Sequence, residues 1–476
     1  MPKFSEFFSL NQSQYELDFV DINNRRDTPV YVDPYAIEVA DDIWAATASE
    51  YIRGFFKEVL DALRANNIPR AAFLMSNLHE PSETFLGVSR EEPRGRGVGA
   101  GQAQQLLRAI QKSKAFRSGI LSDLSEMSLY VEGVARDKIS DLTTNILRGL
   151  LAEYTRQQCE LHAIPIGPYS GPPLWNASKQ SWVSKQIMLP RIEDMPVLLV
   201  PKYIVRRNLS LESQEFYNKQ ITDFLVAEHL KANDSLVHIL KTTNERKVYK
   251  GDVRDRHPMS KKFIADMVIA HPELLEMYKG LAKTHKSLIV FEEEAPSLTS
   301  VCANLASVFS TIPKGPAYAT KYHDLVLGAL TALFHPDLIQ PRKEWEIHDG
   351  RKRIDIVITN AGDKGFFAQR RDDPRTGANV VIVECKNYSN DIANKEIDQL
   401  IGRFDVNRGK FGIITCRGVE DDKLLLRRCQ DAAVRQQGYI ITLTDHDIVD
   451  MLNARAELKD ELVEQRLFEK FRMLLA

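Results

Sequence analysis

Three residues in the second half of the chain have types and spacing that could do chemistry together. Asp355 lies within RIDIVI, and Glu384 and Lys386 close the apolar run at the start of VVIVECKNY, Val380 to Tyr388. Strand side chains alternate faces with a period of two, so Glu384 and Lys386 share a face and Cys385 points the other way. If RIDIVI pairs beside this strand, Asp355 and Glu384 meet at one edge of a sheet. Two carboxylates beside a lysine make a hard-oxygen site. Mg²⁺ (or Mn²⁺) takes oxygen ligands and keeps several waters, so Asp355, Glu384, the Cys385 carbonyl and a phosphate oxygen would suffice. Such an ion polarises the phosphate and acidifies a bound water. Lys386 would orient or help deprotonate that water, or offset charge on a pentavalent phosphate. Without a cation the two acids repel, and one pKa rises. The competing reading is structural: a strand-end ion pair between Glu384 and Lys386, with Asp355 held by Arg353 or Arg351. The bare tripeptide is weak, since Glu245-Arg246-Lys247 and Glu457-Leu458-Lys459 repeat it in polar settings. Cys385, facing away from both charged neighbours, reads as a small core residue.

The elements that must position these residues follow from periodicity. Residues 321–334 have helical spacing. Residues 344–348 and 351–359 read as strands about Asp349-Gly350, a strong hairpin turn. Residues 360–379 read as a polar insertion, 380–385 as a buried strand, 395–405 as a helix and 411–416 as another buried strand. A helix over 421–437 and a strand over 439–443 follow, and an amphipathic helix over 456–474 closes the chain. This order implies an α/β unit, a mixed sheet with helices on both faces. Proline- and serine-bearing breaks at EEEAPS (292–297) and TIPKGPAY (311–318) flank a helix at 298–309. They mark a linker over 291–316, between an N-terminal region over 1–290 and a domain over 317–450. Residues 451–476 are the terminal helix.

Asp355, then Glu384-Cys385-Lys386 on a strand, then a helix carrying Gln399-Leu400, resembles the PD-(D/E)xK nuclease superfamily. The likeness covers Ala317 to Leu443. It implies a restriction-endonuclease-like core with Asp355 and Glu384 as metal ligands, Lys386 as the catalytic lysine and Gln399 as an ordering residue on the following helix. Two departures stand out. Ile354 precedes the first acid where the family often has proline. The first helix reads Tyr322-His323-Asp324 where a glutamate often reaches the metal, so that place is left to His323, to Asp324 or to neither. The function implied is a metal-dependent DNA endonuclease, with restriction or antiviral defence in bacteria as the setting by analogy. The alternatives are a silent nuclease-fold protein that binds nucleic acid or acts as a scaffold, and a nuclease that cuts RNA.

Binding would rest on local cations, because the net charge is −2 and residues 301–476 carry equal numbers of basic and acidic side chains. Arg353 beside Asp355, Arg403 one helical turn beyond Gln399, and Arg371 in the insertion are the phosphate-binding candidates. DNA is placed ahead of RNA as the partner. The N-terminal region reads as mixed α and β. Strands are expected at 29–33 and 195–205, and helices at 51–65, 139–159, 211–232 and 260–281. By elimination it is a sensor, target-recognition or partner-binding region, and a homo-oligomer could form through it. Its glycine-rich loop with Arg94 and Arg96 lacks the GK[ST] of a P-loop. Arg156 and His162 in RQQCELH have the spacing of a HEPN-type ribonuclease motif, but strands surround them where helices should. Asp141 with VLLVPK faintly echoes a second nuclease core, and Val200 stands where its second acid should be. The five cysteines are scattered and form no CxxC pair, which suggests a reducing compartment. No apolar run is long enough to span a bilayer and the N-terminus has no signal-peptide pattern, so the expectation is a cytoplasmic protein without membrane contact.

Overall fold

Short apolar runs bounded by turns become central strands when helices can cover both faces, and the C-terminal part of the chain is built this way. The computed structural model describes residues 2–23, 27–87, 100–241, 244–283, 296–347, 352–388 and 390–476. The glycine-rich segment with Arg94 and Arg96, residues 292–295 of the charge run, and the Asp349-Gly350 turn lie outside these.

The sheet has five strands in sequence order: β1 (Leu338–Ile347), β2 (Lys352–Asn360), β3 (Val380–Lys386), β4 (Phe411–Cys416) and β5 (Tyr439–Thr444). β1, β2 and β3 pair antiparallel, whereas β3, β4 and β5 run parallel, so the sheet is mixed. β3 is the middle strand, and every residue from Val381 to Lys386 is buried. Helices α3 (Leu298–Phe309) and α4 (Ala319–Phe334) precede the sheet and pack with α8 (Asp445–Ala456). A second group comprises α5 (Gly365–Asp372), α6 (Asn394–Ile401), α7 (Asp422–Val434) and α9 (Asp460–Leu475).

Three differences from the sequence reading have local causes. The polar insertion contains α5, because Phe366 and Phe367 are buried and Phe366 meets Phe468 and Phe471 of α9. The segment after β5 is a separate helix, α8, started by Thr444, which caps the Asp447 N–H while the Asp447 carboxylate accepts from the Thr444 N–H. A domain boundary at residue 450 would therefore cut a helix. Likewise 298–309 is no linker, since α3 packs against α8. The loop after α3 is fastened to the end of β3: Asn387 donates to the carbonyls of Pro313 (3.2 Å) and Gly315 (2.8 Å).

In the N-terminal region, α1 (Ile43–Arg64) and α2 (Arg136–Leu161) are the long helices, with several two-stranded pairs around them. Residues 195–205 form no continuous strand. Only the ends of the run join two-residue pairs, Met195–Pro196 with Arg191–Ile192 and Val205 with Val32. Between them the N–H groups of Val197, Leu198, Leu199 and Lys202 are satisfied one at a time, by Pro190, Glu83, Thr155 and Asp18. The 211–232 helix contains a π turn at Tyr217–Ile221, and His271-Pro272 divides 260–281 into two helices. The region docks onto β1. Gln340 sits at positive φ in a bulge of that strand, and its N–H donates to buried Asp18 (3.0 Å), which also accepts from Tyr154 (2.7 Å). Burial raises the Asp18 pKa.

Within α2, Arg148 is buried and donates to Glu83 (2.6 Å), which also accepts from Tyr169 (2.7 Å). Removing one partner of a buried pair leaves the other charge uncompensated. Arg148→Met is therefore expected to cost about 3–5 kcal/mol, read as a shift in the urea midpoint. A shift no larger than that of an exposed control such as Arg64→Met would refute this account of the pair.

Candidate active site

Antiparallel register sets the geometry. Val357 stands opposite Ile382, and the β2–β3 ladder ends one step on at Ile356 and Val383. Asp355 and Glu384 are the next residues on the two strands, and by alternation they share the face of Val357 and Ile382. There the ladder changes character. The Cys385 N–H donates to the Asp355 carboxylate (3.0 Å).

Glu384 is fully buried. Lys386 Nζ donates to its Oε2 at 3.1 Å and is nearly as buried. Arg403 pairs with the other oxygen, Oε1, and is likewise buried. Burial draws the Arg403 guanidinium below its ordinary pKa, and the charge of Asp355 opposes that shift. The site thus holds two carboxylates and two cations at close quarters.

Helix α6 supplies the wall. Its first turn is held by Glu396, which accepts from the Ala393 N–H (3.0 Å). Its close approach to the sheet depends on Gly412 in β4, where an added Cβ would lie 3.0 Å from both the Ile382 carbonyl and Leu400. The helix ends at Ile401, so Arg403 lies in the turn beyond it and is directed inward by the pairing with Glu384. A cleft of about 500 Å³ results, lined by Glu344, Arg353, Asp355, Asp398, Gln399, Gly402 and Arg403. Glu384 and Lys386 do not line it.

The structure therefore brings Asp355, Glu384, Lys386, Gln399, Arg353 and Arg403 to one place. Arg403 has a different setting from the expected open phosphate contact, because it is the internal counter-ion of Glu384. Arg353 pairs with exposed Glu344 (2.6 Å) on the cleft wall. Arg371 does not join the site; it bridges to Asp41 of the N-terminal region at 2.9 Å. Of the two candidates on the first helix, His323 reaches the Cys385 carbonyl (3.2 Å), whereas Asp324 is directed to Lys343. Burial pushes the Cys385 thiol up to about 12, so it stays neutral in the core. Arg156 is held on the α2 surface by Glu153 and Glu160, and burial lowers His162 to about 4, so that motif forms no paired site. The Arg403–Glu384 contact was missed because it joins residues on separate elements; the two buried charges on β3 were its only signal.

Among the described residues, no group of three or more His, Cys, Asp or Glu side chains stands together as a metal cage. The donor chemistry at the site still suits a hard divalent ion, since Asp355, Glu384 and the Cys385 carbonyl are all oxygen donors at one strand end. For Glu384 to join such a set, Arg403 must give up Oε1, and His323 already engages the carbonyl.

A family model described as a domain of unknown function, DUF8370, matches residues 9–212 and stops short of the sheet. No curated protein and no solved structure matches the chain. Among the described residues no helix is long and apolar enough to cross a membrane.

If Arg403 is the counter-ion of Glu384, then Arg403→Met should destabilise the metal-free protein by about 3 kcal/mol. The pair Glu384→Gln with Arg403→Met should cost clearly less than the two single changes added together. Additive urea midpoints in that cycle would show that the two side chains are not coupled.

Proposed function

We propose that the C-terminal unit is a restriction-endonuclease-like, metal-dependent endonuclease that hydrolyses phosphodiester bonds of DNA. The observation that carries this reading is the placement of Asp355 and Glu384 on one sheet face just beyond the last β2–β3 pair, with Lys386 3.1 Å from Glu384. Asp355 and Glu384, with the Cys385 carbonyl, would hold Mg²⁺ or Mn²⁺. When bound, the ion supplies a polarised phosphate and an acidified water. Asp355, on the cleft wall, fixes where the scissile phosphate enters. Lys386 keeps a positive charge beside Glu384, from which it can offset charge growing on the phosphate oxygens or guide the attacking water. Gln399 is exposed on the opposite wall, placed to orient that water or a phosphate oxygen. Arg353 is exposed enough to exchange Glu344 for a backbone phosphate.

Cutting both strands of a duplex takes two such sites, through a dimer or successive visits. The large N-terminal region in front of the nuclease unit would recognise the target, a partner or a signal, an arrangement in keeping with a restriction or antiviral role in bacteria. That last step is analogy from architecture.

One observation favours a second reading. With Arg403 on Glu384, both oxygens of that acid are engaged, as they would be in a silent nuclease-fold protein that only binds nucleic acid.

Plasmid cleavage by the full chain in Mg²⁺, Mn²⁺ or EDTA tests the proposal. Cutting should need the metal, and Asp355→Ala and Lys386→Ala should each slow it by roughly 100-fold or more. Undiminished cutting by Lys386→Ala would refute the assignment. If the wild type is inactive, Mg²⁺ titration separates the readings, because only the enzyme should lose metal binding on Asp355→Ala.

A further inference from the structure

Two histidines meet head to head beyond the family-matched residues. His229 lies near the end of the helix Thr222–Ala232, and His257 directly follows the helix Lys250–Arg256. Their Nε2 atoms are 3.0 Å apart. The ring centroids are 5.2 Å apart with planes 30° from parallel, so the two nitrogens point at each other nearly along one line. That is hydrogen-bond geometry, and it requires one N–H and one lone pair. Behind His229, its Nδ1 faces the Asp234 carboxylate at 2.6 Å. The other Asp234 oxygen accepts from the Leu236 N–H (3.0 Å), which fixes the carboxylate in its turn. Asp234, His229 and His257 form one chain of hydrogen bonds.

His257 is fixed as well. Its carbonyl accepts from the Tyr217 hydroxyl (2.6 Å), and its ring stacks on Phe263 with planes 22° apart. Asp234 and Arg256 are the charged side chains beside the pair; Arg256 stands 3.9 Å from Asp234 and donates to Ser235 (3.0 Å). Arg254 and Asp255 are the charges near the Tyr217 hydroxyl, and His238 is paired elsewhere, with Asp252. The segment between the two histidines has little else to hold it. Among its described residues from 233 to 256 only Val248 and Val253 are buried, and its short hairpin, His238–Ile239 with Arg246–Lys247, is exposed. An exposed ion pair of Lys250 with Asp223 adds little.

We propose that the contact of His229 with His257 is an acid-sensitive joint, which holds residues 233–256 against the Thr222–Ala232 helix and opens when both rings are charged. One added proton is accommodated, because the tautomers exchange and one lone pair remains between the rings. Two added protons leave two N–H groups face to face with like charges, and the contact must part. Burial first, then the charges of His229 and Arg256, hold the His257 pKa below its ordinary value, against the pull of Asp234. A histidine lowered in the closed state binds fewer protons there than in the open one. Its contribution is therefore complete above the ordinary value of about 6.5 and is lost as pH falls below it. The joint is separate from the cleavage cleft and does not rest on nuclease activity.

Hydrogen exchange of the full chain between about pH 7.5 and pH 5, corrected for intrinsic rates, tests this. Protection of residues 233–256 should fall by roughly tenfold or more relative to strand β3. His257→Gln keeps a donor and an acceptor but cannot become charged, so its segment should stay protected across the range. Histidine-ring NMR of the unaltered chain needs no variant: the two rings should titrate as a coupled pair in two steps. If His257→Gln is already loose at neutral pH, that titration decides. Independent titration of the two rings, no acid loosening of 233–256, or loosening that persists in full in His257→Gln would each overturn the proposal.

Discussion

Glu384 is a wholly buried carboxylate in the central strand of a sheet, and much of the C-terminal unit is arranged around its charge. An ion moved from water into such an interior costs several kcal/mol even after relaxation, unless opposite charge and hydrogen bonds meet it there. Lys386 supplies one counter-charge from the same strand, two residues on and on the same face. The other comes from Arg403, beyond the end of α6. That requirement fixes where the turn after α6 must lie. Gly412 then lets Leu400 close on the strand without a side chain in the way. The cleft in front of Asp355 follows from the same demand, since its walls are the two elements that the buried acid holds together.

The edge of the sheet imposes a second constraint. β1 has a free hydrogen-bonding side, and exposed edges invite unwanted pairing. Here the bulge at Gln340 turns one N–H toward Asp18, and the N-terminal region covers that part of the edge. The polar groups at this junction are deeply buried. Lys202, which donates to the carbonyls of Gln14 and Tyr15, is lowered to about 8 by burial. A junction built of satisfied buried polar groups tolerates little displacement, because each broken bond leaves an expensive orphan. The N-terminal region is thus tied to the strand that pairs with β2.

The order of strands and helices around the site was legible because apolar runs in VVIVEC and FGIITC have no alternative but burial between helices. The parity argument was also legible, since a period of two places Asp355, Glu384 and Lys386 on one face once β2 and β3 are neighbours. What escaped the sequence was decided by contacts between distant segments. Arg403 looked like one more surface arginine, and only the fold shows that it faces a buried acid. Helix α5 hid in a polar stretch because two aromatic residues bury it, Phe366 against α9 and Phe367 against Phe334 of α4. The run MPVLLVPKYIV has the composition of a strand, yet the N–H groups in its middle find separate partners. Short apolar runs cannot distinguish these outcomes locally.

Charge balance connects the two readings of the site. Lys386 and Arg403 balance the charges of Asp355 and Glu384 as they stand. A divalent ion entering between the acids would add charge to a set already balanced, and the most direct relief is withdrawal of Arg403 toward the cleft it lines. There it would meet whatever anion fills that cleft. A substrate phosphate would offer the guanidinium a new partner of the kind it surrenders, with two oxygens in a geometry that its fork matches. Metal and phosphate would then each favour the entry of the other. The same arginine that shields Glu384 would become a ligand of the bound anion.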